Sequence, residues 1–263
     1  MVSATIIAGN EGHRITRCLD SIRWVDEIIV VVDDRTTDDT LEVARKYTER
    51  VYTRPFAGFA DQRQWADEQA TGEWIFSIDC DEVVPQALAD EIQAELKAPR
   101  FLAYRIPHLD FMFGRWIRYG GWYPQFHVRL YRRAASRWHR AVHEKVEIDG
   151  PMGTFRYPLL HFSHGRVENW VNKMSLYTGL EAHAMQQNGA PVGVARILFE
   201  PPLMFGYKYF VLQGWRDGIH GLALALLLGC TRLVRNLEAW DLRQAARGDV
   251  ESPEHPPQMR KPS

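Results

Sequence analysis

The stretch "EIIVVVDD", residues 27–34, limits the possible folds more than any other part of the chain. Five consecutive β-branched residues, Ile28 to Val32, carry no polar alternation, so a strand made from them must be covered on both faces. That situation belongs to a parallel sheet flanked by helices. Helical and strand signals alternate accordingly through the first hundred residues. "SATIIA" precedes a segment with Ile15, Cys18, Leu19 and Ile22 at helical spacing. "TTDDTLEVARKY" offers threonine and aspartate for an N-cap and first turn, then places Leu41, Ala44 and Tyr47 on one stripe. "RVYTR" is a short third strand, "FADQRQWADEQA" a helix, "WIFSID" a strand, and Leu88, Ile92 and Leu96 form a stripe after Pro85. Repeated βα units predict an α/β fold whose mostly parallel sheet has helices on both faces and binds ligands beyond the carboxyl ends of its strands.

Acids collect at those strand ends. Asp33 and Asp34 close the second apolar run, and "WIFSIDCDEVVP" places Asp79, Asp81 and Glu82 after the fourth. Read as a continuing strand, this last stretch puts Asp79 and Asp81 on one face, where two carboxylates repel each other unless a cation lies between them. Asn10 is positioned to cap the first helix and Glu11 to complement its dipole. The 46% hydrophobic and 25% charged content of the 263 residues allows a sizeable core. A formal net charge of -1 excludes a general attraction to nucleic acid. Cys18, Cys80 and Cys230 are odd in number and lack metal-ligand spacing, which disfavours a disulfide framework and zinc and fits a reducing compartment. The first residues read as a strand of the fold and not as a signal peptide.

The pattern changes near Phe101. "FLAYRIPHLDFMFGRWIRYGGWYPQFHVRLYRR" is rich in aromatics and arginine, but its pieces alternate like strands or hairpins, unlike a nucleic-acid surface. A further strand pair is expected around the turn Asp149-Gly150, and a helix over Val167 to Gln187. The apolar run Leu222 to Leu228 is shorter than the roughly 20 residues that cross a bilayer. Lys208, Arg216, Arg232, Arg235, Arg243 and Arg247 flank it, together with aromatics such as Trp215 and Trp240. An interfacial helix pair and a helix packed on the catalytic domain both satisfy that composition. The expected organisation is a βα half over 1–100, strands and loops of the same domain over 101–165, C-terminal helices over 166–247, and a polar, proline-rich disordered tail over 248–263.

The order of motifs resembles family 2 glycosyltransferases of the GT-A fold, in particular bacterial lipopolysaccharide core glycosyltransferases. It rests on "TIIAGNE", "DEIIVVVDDRTTDDT", "GFADQRQWADEQATGEWIFSIDCDE", "VHEKVEIDGP" with "PLLHFSH", and "GWRDGIHGLALALL", which span nearly the whole chain in order. The resemblance implies an inverting transfer of a sugar from a nucleotide-sugar donor to a lipid-linked or lipopolysaccharide-core saccharide. The enzyme would be cytoplasmic and peripheral on the inner face of the cytoplasmic membrane. The first 100 residues would bind the donor, through Asn10, Glu11, Asp33, Asp34, Gln62, Arg63 and Asp79. Arg35-Thr36 and Gln64 depart from the usual family residues. Asp79-Cys80-Asp81 resembles the Asp-X-Asp motif, with Asp81 and Asp79 implied as ligands of Mg²⁺ or Mn²⁺. Glu144 is the first candidate for the catalytic base, with Glu82 and Asp110 behind it, and His143 or His161 could assist diphosphate or metal binding. The rivals are a sugar-phosphate nucleotidyltransferase, echoed by "AGNEGHR" but without an early lysine, and a non-catalytic carbohydrate-binding module at a membrane surface.

Overall fold

The structure, a computed structural model, describes residues 1–139 and 145–247. The described residues divide into two compact units, one up to Val167 and one from Glu168 onward. The first unit begins with β1 (Val2–Ala8), α1 (Gly12–Ser21), β2 (Glu27–Asp33), α2 (Thr40–Arg45), β3 (Val51–Arg54), α3 (Phe59–Gln69) and β4 (Trp74–Ser77). It continues with β5 (Glu82–Val83), α4 (Gln86–Glu95), β6 (Ala103–Met112), β7 (Arg115–Trp116), β8 (Gln125–Arg132) and β9 (Ser136–His139). β10 (Lys145–Ile148), β11 (Met152–Thr154) and β12 (Leu159–His164) complete it.

The main sheet runs β3-β2-β1-β4-β8-β6-β12-β5. β1 to β4 are mutually parallel, β8 is antiparallel to both β4 and β6, and β12 is parallel to β6. The carboxyl ends of β1–β4, β6 and β12 therefore share one edge, where the amino end of β8 also lies. The apolar runs are covered on both faces, as their composition requires. Val30, Val32 and Phe76 pack with Ile15 and Leu19 of α1 and Leu88 and Ile92 of α4, whereas Ile29, Val31 and Ile75 pack with Ala66 of α3 and Tyr131 of β8. Each fully buried side chain of this kind contributes about 1.5–3 kcal/mol, so the double cover holds the strand ends rigidly.

Three local expectations are corrected. β4 stops at Ser77, and Glu82 N–H donates to the Asp79 carbonyl at 3.0 Å, so Asp79-Cys80-Asp81 form a turn and strand alternation does not govern their side chains. Asn10 is not the helix cap. That position falls to Glu11, while Asn10 adopts φ 56° and its side-chain oxygen accepts from the Thr37 N–H at 2.9 Å, tying the loop after β1 to the loop after β2. The turn at Asp149-Gly150 joins β10 to β11 without pairing them: β10 pairs with β9, and β11 is drawn beside β6.

The second unit contains α5 (Val167–Gln187, which begins at the last residue of the first unit), α6 (Val194–Gly206) and α7 (Ile219–Arg247). A π-helical turn over Tyr207–Val211 extends α6, and a 3-10 turn over Gly214–Asp217 precedes α7. Ala182, Val192 and Ala239 make a small core where the three helices meet. α6 lies within the C-terminal helical stretch expected over 166–247, although Pro201-Pro202 falls inside it.

Candidate active site

The carboxyl edge of the sheet gathers an alternating set of acids and cations. Asp79 receives two arginines: Arg63 from α3 on one carboxylate oxygen and Arg129 from β8 on the other, the latter at 2.7 Å. Burial opposes the charge of Asp79, but Arg129 and Arg63 outweigh it and hold the carboxyl well below its usual range. Arg63 also donates to Ser77 Oγ at 3.1 Å and lies under the Trp138 ring, 5.2 Å from its centroid. Arg129 pairs in addition with the fully buried Glu82, whose side chain accepts from the Asp79 N–H at 2.9 Å. Burial, reinforced by the charge of Asp79, pushes Glu82 up to about 7 against the pull of Arg129. Glu82 has no exposed surface, and its contacts, to Arg129 and the Asp79 N–H, tie β5 to the turn.

Asp81 stands differently. Its nearest cations are Arg14 Nη1 at 3.4 Å and His161 Nε2 at 3.6 Å, both beyond good hydrogen-bond length. Arg14 is held from the other side by Glu11, three residues earlier on the same helix, so Glu11 is occupied in orienting Arg14. Gly12 permits this close approach of α1 to the loop after β2: a Cβ there would lie 1.9 Å from Asp39 Oδ1. Opposite Arg14, His161 on β12 places Nδ1 2.6 Å from Asp110 on β6. Burial works against a charged His161, but Asp110 and Asp81 prevail and push it up to about 10. A carboxylate on one ring nitrogen leaves the other aimed at Asp81, and Nε2 would become a metal ligand only on giving up its proton to the incoming ion.

His108 completes the cluster. It is 2% exposed, with Nδ1 3.5 Å from Glu82 and Nε2 unpartnered among the described residues. Burial and the nearby Arg129 keep this imidazole neutral, well below its usual range. Ligand atoms of His108, Asp110 and His161 lie within 4.8 Å of one another, a spacing compatible with a single ion.

The donor-side residues are distributed along the same edge. Asp33, at the end of β2, is clamped by Arg35 at 2.7 Å and lowered chiefly by that bond, while Asp34 is exposed. Gln62 is 1% exposed, and neither atom of its amide finds a partner among the described residues. Such an orphaned amide costs about 1–3 kcal/mol until something satisfies it. Glu144 and His143 lie outside the described residues. Arg14, Arg129 and His108 were missed by sequence reasoning; the Glu11-x-x-Arg14 spacing and a lone arginine inside the apolar "HVRLY" strand were their only local signals.

The mixed sheet, with helices on both faces and acids collected at its carboxyl edge, is GT-A-like. The family model for Glycosyl transferase family 2 matches residues 3–145, and the chain belongs to that family. The lipopolysaccharide core biosynthesis glycosyltransferase LpsC of Rhizobium meliloti is 30% identical over 234 residues, 86% of each chain. An uncharacterised glycosyltransferase of Rickettsia conorii is 26% identical over 247 residues, 89% of this chain and 88% of that one. Among solved structures, residues 1–349 of Staphylococcus aureus TarS in complex with UDP align with a TM-score of 0.48 at 15% identity, over 94% of this chain and 91% of that chain. The chain is a glycosyltransferase.

Proposed function

We propose that this glycosyltransferase moves a sugar, with inversion, from a nucleoside-diphosphate sugar to a lipid-linked or lipopolysaccharide-core saccharide at the inner face of the cytoplasmic membrane. The kinship with LpsC supports the acceptor class. The single observation that carries the donor chemistry is the contrast between the two carboxylates of the Asp-X-Asp turn. Both oxygens of Asp79 are consumed by Arg63 and Arg129, whereas among the described residues Asp81 faces longer contacts to Arg14 and an oriented histidine. The donor set therefore fits Mg²⁺ or Mn²⁺ at Asp81 and His161, and not between Asp79 and Asp81. When bound there, a divalent cation supplies Lewis-acid stabilisation of the charge on the departing nucleoside diphosphate.

The protein's own groups do the rest. Asp110 holds His161 in place through Nδ1, and Arg14, anchored by Glu11, adds positive charge beside Asp81 where phosphate oxygens would lie. Arg63 acts indirectly, by fixing the turn through Asp79 and Ser77. Asn10 secures the loop that carries Asp33 and Asp34, which accept hydrogen bonds from base or ribose, and the orphaned amide of Gln62 is a further donor contact. Glu144 remains the proposed base on its place in the family pattern. Glu144→Gln abolishes transfer while nucleotide binding survives; turnover equal to wild type would remove Glu144 from the mechanism.

A further inference from the structure

Helix α6 with its π-helical extension is inside out. Val194, Leu198, Phe199, Leu203, Phe210 and Val211 are between 60% and 71% exposed, and they follow one another at helical spacing along one side. Tyr207 lies between them on the same side, half exposed. The side facing α7 carries the charges: Arg196 and Glu200 meet Arg235 and Asn236, with Arg235 only 5% and Asn236 0% exposed. A helix stabilised in water places its apolar stripe inward and its charges outward. Helices joined by polar and small residues, with apolar residues outward, suit an apolar surrounding. Gly229 of α7 contributes the small-residue contact, since a Cβ there would lie 3.2 Å from the Pro201 carbonyl.

The turn at the end of this hairpin adds two features. Trp215 and Ile219 are 54% and 70% exposed, and Arg216 beside them is exposed and cationic. Aromatic rings with a neighbouring cation match the boundary between hydrocarbon and anionic headgroups. The outward side of Val194 to Val211 presents no exposed charged side chain, so the cation of the turn stands at one end of an apolar strip. No described helix is long and apolar enough to cross a membrane.

We infer that the outward side of α6, with the Trp215–Ile219 turn, lies in the surface of an anionic phospholipid bilayer, charges of the turn at the headgroups and apolar side chains below them. This rests on the membrane-surface reading above and assigns it to α6. The leucine run of α7 singled out by the sequence is instead largely covered, with Leu224 and Ala225 buried.

The test uses the full chain and sedimentation with vesicles of phosphatidylcholine alone or mixed with phosphatidylglycerol. Wild type partitions onto the mixed vesicles, and Phe199→Glu with Leu203→Glu lowers the partition coefficient about tenfold or more. Arg216→Glu lowers it about fivefold on mixed vesicles only. Both substituted positions of the double variant are exposed, and Mn²⁺ binding by that variant stays at the wild-type level. Equal partition of wild type and double variant would overturn the assignment. So would a wild type that ignores vesicles but self-associates through this face, seen as a dimer by light scattering that the double variant dissolves. Failure of Mn²⁺ binding with vesicle binding intact would defeat the donor-site reading alone.

Discussion

The catalytic edge and the α6–α7 hairpin break the same rule in opposite directions. At the edge, charges are brought inside: Glu82 is fully buried, Asp110 is 5% exposed and Arg129 9%. On the hairpin, large apolar side chains are left outside. Each inversion costs free energy in water and persists where something other than water completes it. The edge is partly completed from within, by arginines on both oxygens of Asp79, whereas Asp81 has longer contacts, to Arg14 and His161. Among the described residues, the outward side of the hairpin has no such internal complement.

That division can be broken by exchanging single oxygens. Asp81→Asn is expected to lower kcat/KM by about a hundredfold or more with little change in unfolding free energy, read by initial rates and urea denaturation. Asp79→Asn should do the reverse first: it leaves Arg63 and Arg129 facing a neutral amide, costing about 2–4 kcal/mol of stability. An Asp79→Asn protein as stable as wild type would erase the distinction between the two acids.

A smaller effect isolates the carboxylate that orients the histidine. Asp110→Asn weakens Mn²⁺ binding by about 10–100-fold, as removal of such partners usually does, while Asp110 itself contributes no ligand in this reading. A loss as complete as that of Asp81→Asn would promote Asp110 to a direct ligand.

Behind the edge, Asp67 gives a pH signature. Its carboxylate accepts from Tyr131 at 2.7 Å, Trp138 at 2.8 Å and Thr5 at 2.9 Å. Burial nevertheless dominates and raises it to about 6. Between about pH 4 and 6 the folded state keeps a proton that the unfolded chain has lost, so stability falls as pH rises through that window, by about 3 kcal/mol. Asp67→Asn should flatten this slope in urea titrations; an unchanged slope would place the titration elsewhere. The smallest expected effect lies in the hairpin. Glu200→Gln removes the charge and puts an NH2 donor in place of one acceptor oxygen, so the bond to either Arg235 or Asn236 is lost with it, for about 1 kcal/mol.

How far the sequence reveals these regions follows from the range of the interactions. The double-covered strands and the acids at their carboxyl ends were legible, because "EIIVVVDD" and "WIFSIDCDE" are apolar runs that end directly in acids. The unequal roles of Asp79 and Asp81 were not, because Arg63 and Arg129 arrive from 16 and 50 residues away. Asn10 was assigned to the cap from composition, whereas its oxygen is claimed by a loop 27 residues on. α6 carries Pro201-Pro202, a local signal against a helix, and the apolar Leu222–Leu228 run is only partly covered, with Leu224 and Ala225 buried and Leu226 exposed.

The central claim is that Asp81, and not Asp79, holds the cation of the donor site. Mn²⁺ titrations followed by the paramagnetic resonance of the free ion, with UDP and with GDP in separate arms, test it on wild type, Asp81→Asn and His161→Ala. Near-stoichiometric uptake by wild type in at least one arm, weakened tenfold or more in both variants, is the expected result. Uptake by Asp81→Asn indistinguishable from wild type would contradict the account.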